Sequence, residues 1–333
     1  MKIHEQVLAE ARGFLSSRVI LTAAELDLFT RLEAGPETAE QLAAALHLDL
    51  RALTRLLDVL VTLGFLDKFP NGYSITVKGA CLGSSHPDSV RPMLLHQARL
   101  WRSWSGLTDI VKQGRIPGEQ RMAVWTTSER AAFIGAMHVV GRDLSREIAA
   151  AYDASRCRTL LDIGGASATY TIAFLERYPN LRAVLFDLET VIPMARDRLT
   201  AAGLLDRVEL AAGDFYRDPL PSGCDLALLS AIIHQNSRAQ NVALYKKIHQ
   251  ALVPGGKILI RDHIMEPDRT KPPAGALFAL NMLVNTEAGD TYTFAEVSED
   301  LGAAGFDHPT LARAGAHMDC LVEAIKRDGQ PRA

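Results

Sequence analysis

Cysteine is scarce and scattered: Cys81, Cys157, Cys224 and Cys320 share no close spacing. That argues against a thiolate metal site and against a disulfide framework, and it fits a reducing compartment. Neither sign of charge is in excess, with 36 Lys and Arg against 39 Asp and Glu and a net charge of -3. A chain so balanced is not built mainly to neutralise phosphates, so the expected partner is a small molecule and not nucleic acid. Long apolar runs are also missing. The longest, such as LALLSAII, suit a strand and are too short to cross a bilayer. The opening MKIHEQVLAEARGF is charged and amphipathic, without the apolar core of a secretory signal. These absences point to a cytoplasmic protein with no membrane partner and no metal. What is present is apolar material, 48% of 333 residues, enough for about two domains.

Residues 1–95 read as short helices followed by a hairpin. Thr38 with Gln41 has the spacing of a capping box and starts a helix that reaches His47. Asp49 caps the next helix, in which Leu53, Leu56, Leu57 and Leu60 share a face and Gly64 supplies the stop. FLDKF and YSIT follow, joined through Pro70-Asn71-Gly72, whose Asn-Gly pair suits a tight turn. The sum predicts a winged-helix domain. Its second helix offers only Arg51 and Arg55 as obvious phosphate contacts, so dimerisation is the expected role and DNA binding the alternative.

From 96 to 151 the pattern is helical, with Trp101 and Trp104 on adjacent turns and a break at Pro117-Gly118. The segment predicts a helical linker. Past it, over 152–333, β-rich runs (TLLDI, RAVLFD, VELAAGD, DLALLS, GKILIRD) alternate with helical stretches, the signature of a parallel sheet. GFDHPTLARAG and MDCLVEAIKRD predict two further strands closing the sheet edge as an antiparallel hairpin. The expected fold is α/β: a doubly wound, mostly parallel seven-stranded sheet behind a helical N-terminal domain.

TLLDI runs into Gly164-Gly165-Ala166-Ser167-Ala168 and then a helix, a nucleotide-type strand-loop-helix. The dinucleotide fingerprint needs glycines at 164, 166 and 169, where the chain has Gly164, Ala166 and Thr169, so NAD is not expected. Asp187 ends the second strand, where a carboxylate can accept both ribose hydroxyls. Asp214 and Phe215 follow the third strand and offer an acceptor for an adenine amino group and an apolar surface for its ring.

LLDIGGASATY resembles the first motif of class I S-adenosylmethionine-dependent methyltransferases, an acidic residue followed by glycines at alternate positions. Ala166 and Ala168 replace two of those glycines, which is tolerable at negative φ and obstructed at positive φ. More narrowly, FIGAM, DFYRDPLP, LVPGGKILI and NMLVNTEAGDTYTFAEVSEDLGAAGF make nearly the whole chain similar to the small-molecule O-methyltransferases that carry a winged-helix dimerisation domain. The resemblance implies a homodimer, S-adenosylmethionine as cofactor and a small, aromatic hydroxylated acceptor. It implies a cofactor site at Gly164, Gly165, Asp187, Leu188, Asp214, Phe215 and Ser230. It makes His234 the general base, with His263 as a rival, and gives Glu296 the task of orienting the base. Met137, Met282 and Asn285 match segments that line the acceptor pocket in relatives.

One departure stands out. Relatives follow the histidine with Asp-Trp, and this chain has Gln235-Asn236. That keeps a second reading open, a cofactor-binding relative of hydroxylase or pericyclase type that no longer transfers methyl. Nitrogen, sulfur or carbon acceptors and a cofactor-sensing transcription factor are the remaining alternatives.

Overall fold

The computed structural model describes residues 2–114 and 127–327, and the Pro117-Gly118 break lies outside them. The chain forms two compact units, the first gathered mainly from Met1–Ser103 and the second mainly from Val140–Ala333.

The first unit opens with α1 (Ile3–Glu25) and α2 (Leu28–Leu32). Then come α3 (Ala39–Leu46) and α4 (Leu50–Thr62). The capping box that starts α3 is formed, with Thr38 Oγ1 accepting from Gln41 N at 3.2 Å and Gln41 Oε1 from Thr38 N at 2.8 Å. Asp49 caps α4 through Ala52 N at 2.8 Å. Leu53, Leu57 and Leu60 of α4 are buried against Phe29, Leu42 and Leu66, each contributing about 1.5–3 kcal/mol by leaving water. β1 (Leu66–Phe69) and β2 (Gly72–Ile75) pair antiparallel, with Phe69 opposite Gly72. The turn therefore centres on Pro70 and Asn71, one residue earlier than the expected Asn-Gly pair. Gly72 is needed elsewhere: Tyr73 exchanges main-chain hydrogen bonds with Glu37, and a Cβ at 72 would collide with the Glu37 carbonyl. α5 (Val77–Ala80) and α6 (Arg91–Trp104) follow. On α1 the apolar residues Ile3, Val7, Leu8, Phe14 and Leu15 are all exposed.

After α7 (Leu107–Gln113) and α8 (Thr127–Ala151), strands and helices alternate, except that a loop and not the expected helix joins the third strand of the sheet to the fourth. The order is β3 (Thr159–Ile163), α9 (Thr169–Arg177), β4 (Arg182–Asp187), α10 (Ile192–Ala201), β5 (Val208–Ala212), β6 (Cys224–Ser230), α11 (Arg238–Ala251) and β7 (Leu252–Asp262). The short β8 (Ile264–Met265), α12 (Pro273–Asn285), β9 (Tyr292–Thr293) and α13 (Phe294–Ala303) lead to the closing hairpin, β10 (Phe306–Arg313) and β11 (Cys320–Lys326). The seven-stranded sheet has the order β10-β11-β7-β6-β3-β4-β5. β11 runs antiparallel to β7, and β7 through β5 are mutually parallel.

Period-two alternation feeds both faces of this sheet. Leu161, Ile163, Ile258 and Ile260 enter one core, while Leu160 and Leu259 enter the other. The chain winds from β3 toward β5 on one side and returns to β6 and β7 on the other, so its direction switches between β3 and β6. Ligands of such sheets gather beyond the strand carboxyl ends at that switch. No helix among the described residues is long and apolar enough to cross a membrane.

Candidate active site

The loop beyond β3 is tied down from beneath. Asp162 is 1% exposed, and its Oδ2 accepts the Thr171 hydroxyl at 2.6 Å, joining the strand to α9. Burial pushes its carboxyl up to about 6 against the pull of that hydrogen bond, with the Asp187 charge adding to the rise. Gly164 takes φ +70, as the tight turn requires, and the alanines that stand in for glycine keep a left-handed backbone. Ala166 and Ala168 stand at φ 46 and 62, in the left-handed region that costs an L-residue about 1–2 kcal/mol. Ala231, just past β6, is a third alanine with this conformation, at φ 57.

Asp187, at the end of β4, holds the loop: Oδ2 accepts from Ala166 N at 2.8 Å and Oδ1 from Leu188 N at 2.7 Å. Each carboxylate oxygen can accept more than one hydrogen bond, so this duty is compatible with receiving ribose hydroxyls. Leu188 beside it is 40% exposed, leaving an apolar side chain at the mouth of the site. Gly164 N donates to Phe186 O at 2.8 Å and Gly213 N to Asp187 O at 2.9 Å, which closes the three strand-end loops on one another. A Cβ on Gly164 would lie 2.8 Å from Ile232 Cδ1 and 3.7 Å from Phe215 Cε1, so apolar side chains from two other loops cover it. Gly165 packs as closely beneath, where a Cβ would lie 2.8 Å from Leu185 Cγ.

Asp214 orders its own loop by accepting from Tyr216 N at 2.9 Å, and Lys247 Nζ fixes the Phe215 carbonyl at 2.6 Å. Acidic acceptors at 187 and 214, with Phe215 and Ile232 close over Gly164, suit a nucleoside. Ser230 Oγ accepts from Arg261 Nε at 2.8 Å.

His234 lies in the 3-10 turn Ile233–Gln235 directly beyond β6 and is 9% exposed. Its Nδ1 is 3.0 and 2.9 Å from the two oxygens of Asp262, the last residue of β7, itself 1% exposed. The parallel register that pairs Ser230 with Arg261 brings these two strand ends together. Burial would raise the Asp262 carboxyl, but the His234 charge and hydrogen bond, Arg261 and the His263 N–H outweigh it and hold it below the usual range. With Nδ1 committed, Nε2 is the nitrogen left for a reacting proton. Asp290 N donates to the His234 carbonyl at 2.9 Å and Asn241 Nδ2 to Ile233 O at 2.9 Å, so the backbone of the turn is fixed as well. Phe278 of α12 packs against the ring edge-on, centroids 4.8 Å apart.

Three of the expected residues have definite surroundings. Asp262, not Glu296, contacts His234; the Glu296 carboxylate closes the capping box of α13 on Thr293 N at 2.8 Å and pairs with Arg269 at 2.5 Å. The cause is local: a Glu three residues after an N-cap Thr is drawn back to that cap. His263, the rival base, is 5% exposed and has its Nδ1 buried without a hydrogen-bond partner, and burial lowers its basicity ahead of the opposing pull of Asp262. It lacks the carboxylate clamp that His234 has. Asn236, the departure from Asp-Trp, is fully buried and structural, donating to Asn241 Oδ1 at 2.9 Å and accepting the Tyr216 and Tyr292 hydroxyls.

Met282 is buried on α12, and Asn285 donates to Asn281 Oδ1 at 3.0 Å, an oxygen that also receives Trp104 Nε1 at 3.0 Å. Met137 is half-buried on α8 in the first unit. No cluster of His, Cys, Asp or Glu among the described residues could hold a metal ion.

Comparison with known proteins adds to this geometry. Residues 104–307 match the model of an O-methyltransferase domain, and residues 9–84 that of an O-methyltransferase dimerisation domain. The chain is 32% identical to the tetracenomycin polyketide synthesis 8-O-methyl transferase of Streptomyces glaucescens, with 93% of each protein covered. It is 31% identical to the 3-hydroxy-5-methyl-1-naphthoate 3-O-methyltransferase of Streptomyces sahachiroi, covering 95% of this chain and 93% of the relative. The human N-acetylserotonin methyltransferase, solved with S-adenosylmethionine, superimposes with a TM-score of 0.85 at 26% identity over 98% of this chain and 99% of that one.

Proposed function

As the chain belongs to the O-methyltransferase family and so depends on S-adenosylmethionine, we propose that it methylates a hydroxyl of a small aromatic acceptor, with His234 as general base and Asp262 as its positioning residue. The observation that carries this reading is the buried His234–Asp262 clamp at the carboxyl ends of β6 and β7.

When bound, the cofactor supplies an electrophilic methyl on a sulfonium. Gly164, Gly165, Asp187, Leu188, Asp214, Phe215 and Ser230 are the residues proposed to hold it. Asp162 and Thr171 keep the loop in place beneath. His234 Nε2 takes the proton of the acceptor hydroxyl as its oxygen becomes nucleophilic. Asp262 fixes the ring with Nδ1–H toward itself and stabilises the imidazolium that forms, as a buried carboxylate does beside a catalytic histidine. Half-buried Phe278 and buried Met282 on α12 give the acceptor side an apolar wall, which favours an aromatic ring over a sugar.

The relatives named for a polyketide, a hydroxynaphthoate and acetylserotonin support an aromatic acceptor, and the structural engagement of Asn236 weakens the case for lost transfer. Homodimerisation through the N-terminal domain, taken as residues 1–95 ahead of a linker over 96–151 and a catalytic domain over 152–333, belongs to the same reading. The exposed apolar face of α1 supports it. A cytoplasmic enzyme without a nucleic-acid partner is the rest of the reading, supported by four free cysteines.

The test is a panel of hydroxynaphthoates, hydroxyindoles and anthracyclic phenols incubated with methyl-labelled cofactor. Labelled methyl ethers from the native chain, and almost none from His234→Asn, are the expected result. Turnover of a phenol without label in the product would refute transfer.

A further inference from the structure

Arg261 is a buried cation without an anion. It is 6% exposed, and no carboxylate among the described residues lies within ion-pair distance of its guanidinium. Its polar contacts are neutral: Nε donates to Ser230 Oγ at 2.8 Å and Nη1 to Met318 O at 2.6 Å. The Tyr170 ring lies 4.9 Å from the guanidinium carbon. The two carboxylates whose titration feels Arg261 are already engaged, Asp162 with Thr171 and Asp262 with His234. A buried charge is costly unless it is paired, and burying one beside a ligand site is reasonable when the ligand brings the counter-charge.

The register says where that ligand lies. Ile163 pairs with Leu229 and Leu229 with Ile260, so the next row across the sheet is Gly164, Ser230 and Arg261. With strands about 4.8 Å apart, Arg261 starts roughly 10 Å from Gly164. Its side chain closes most of that gap, because it projects on the α9 face and bonds Ser230 in the strand between. Tyr170, in the first turn of α9, has its hydroxyl buried there near Ser230. A guanidinium and a phenol thus converge beside the loop after β3, at the strand ends away from Asp187 and Asp214.

We propose that Arg261 holds a carboxylate in this place, that of the amino-acid part of the methyl donor, with the Tyr170 hydroxyl as a second donor. This rests on the cofactor reading above. The nucleoside end is then recognised by acids at 187 and 214 and the amino-acid end by a cation three strands from Asp187, which fixes the direction in which the ligand lies. A carboxylated acceptor has the same chemistry, and the experiment separates the two sources.

Calorimetric titration of the purified chain with S-adenosylhomocysteine and with 5′-methylthioadenosine, which lacks the amino-acid part, tests the assignment on native protein, Arg261→Gln and Arg261→Lys. The expected result is at least a tenfold loss of S-adenosylhomocysteine affinity in Arg261→Gln with 5′-methylthioadenosine binding retained, and partial recovery in Arg261→Lys. Retained 5′-methylthioadenosine binding also reports that the variant folds. Equal losses for both ligands, or none for either, would make Arg261 a structural residue. A raised KM for a hydroxynaphthoate but not for the matching naphthol, with S-adenosylhomocysteine binding unchanged, would move the site to the acceptor and overturn the donor assignment. Native protein binding neither ligand would sink the cofactor reading itself.

Discussion

His234 and Asp262 are 28 residues apart in sequence and share a two-point contact in space, Nδ1 lying 3.0 and 2.9 Å from the carboxylate oxygens. If this clamp sets the tautomer of the base, Asp262→Asn should lower kcat by about 100- to 10,000-fold, the range of one acid–base contribution. S-adenosylhomocysteine affinity should stay within threefold of native. Steady-state kinetics alongside calorimetry check this, and an Asp262→Asn enzyme with near-native kcat would remove Asp262 from the mechanism.

The left-handed alanines make a different prediction. Ala166 and Ala168 bear a conformation that glycine adopts without strain, at φ 46 and 62. Replacing either by glycine relieves about 1–2 kcal/mol of backbone strain and gives back about 0.4–1 kcal/mol as unfolded-chain entropy. A net gain of about 0.5–1 kcal/mol is expected from urea unfolding of Ala168→Gly, whose native site is fully buried. A loss of stability would show that the methyl's packing outweighs the strain.

Asp162 predicts a pH dependence of the opposite sense to an ordinary paired carboxylate. Its folded value of about 6 stands above the unfolded value near 3.8. Its contribution to stability is therefore fully present below about pH 4 and lost as the pH rises through about 6. At pH 7 the ionised form costs about 3 kcal/mol, from roughly 1.4 kcal/mol per unit. Asp162→Asn should gain stability relative to native between pH 4.5 and 7.5 in denaturant titrations, and a difference that does not vary with pH would contradict the burial argument.

Asn236 accounts for the departure from the family pattern and can be tested alone. Its amide bridges Asn241 to Tyr216, and its carbonyl receives Tyr292. Asn236→Ala leaves buried polar partners unmatched and should cost about 1–3 kcal/mol per group left unsatisfied. Activity should fall along with thermal stability, since the turn that carries His234 loses its anchor. A variant as stable as native would show that the hub is dispensable.

Most of the catalytic unit was legible because its signals are local. Five β-rich runs, a final hairpin and acids at strand ends are each visible in a window of a dozen residues and returned at the expected places, except that β5 passes to β6 through a loop where a helix was expected. The contact of Asp262 with His234 was not legible, since it depends on β6 and β7 lying side by side in parallel register, a fact no single window contains. The available signal was RDHIM at a strand carboxyl end, where two charged groups and a histidine have no reason to be buried without partners. For Glu296 the local signal pointed elsewhere: Thr293, three residues before it, forms a capping box that draws its carboxylate back to the helix start. The turn at Pro70-Asn71 shifted because a bridge to Glu37, distant in sequence, claimed Gly72.

The Gly164 loop, Asp187 and the Asp214-Phe215 loop are proposed to hold one molecule of methyl donor beside His234. The direct measurement is calorimetric titration of S-adenosylhomocysteine into native chain, Asp187→Ala and His234→Asn. One site per chain, a loss of at least tenfold in Asp187→Ala and near-native affinity in His234→Asn are expected, because the proposed base touches the acceptor and not the donor. No heat from native protein, or undiminished binding by Asp187→Ala, would contradict it.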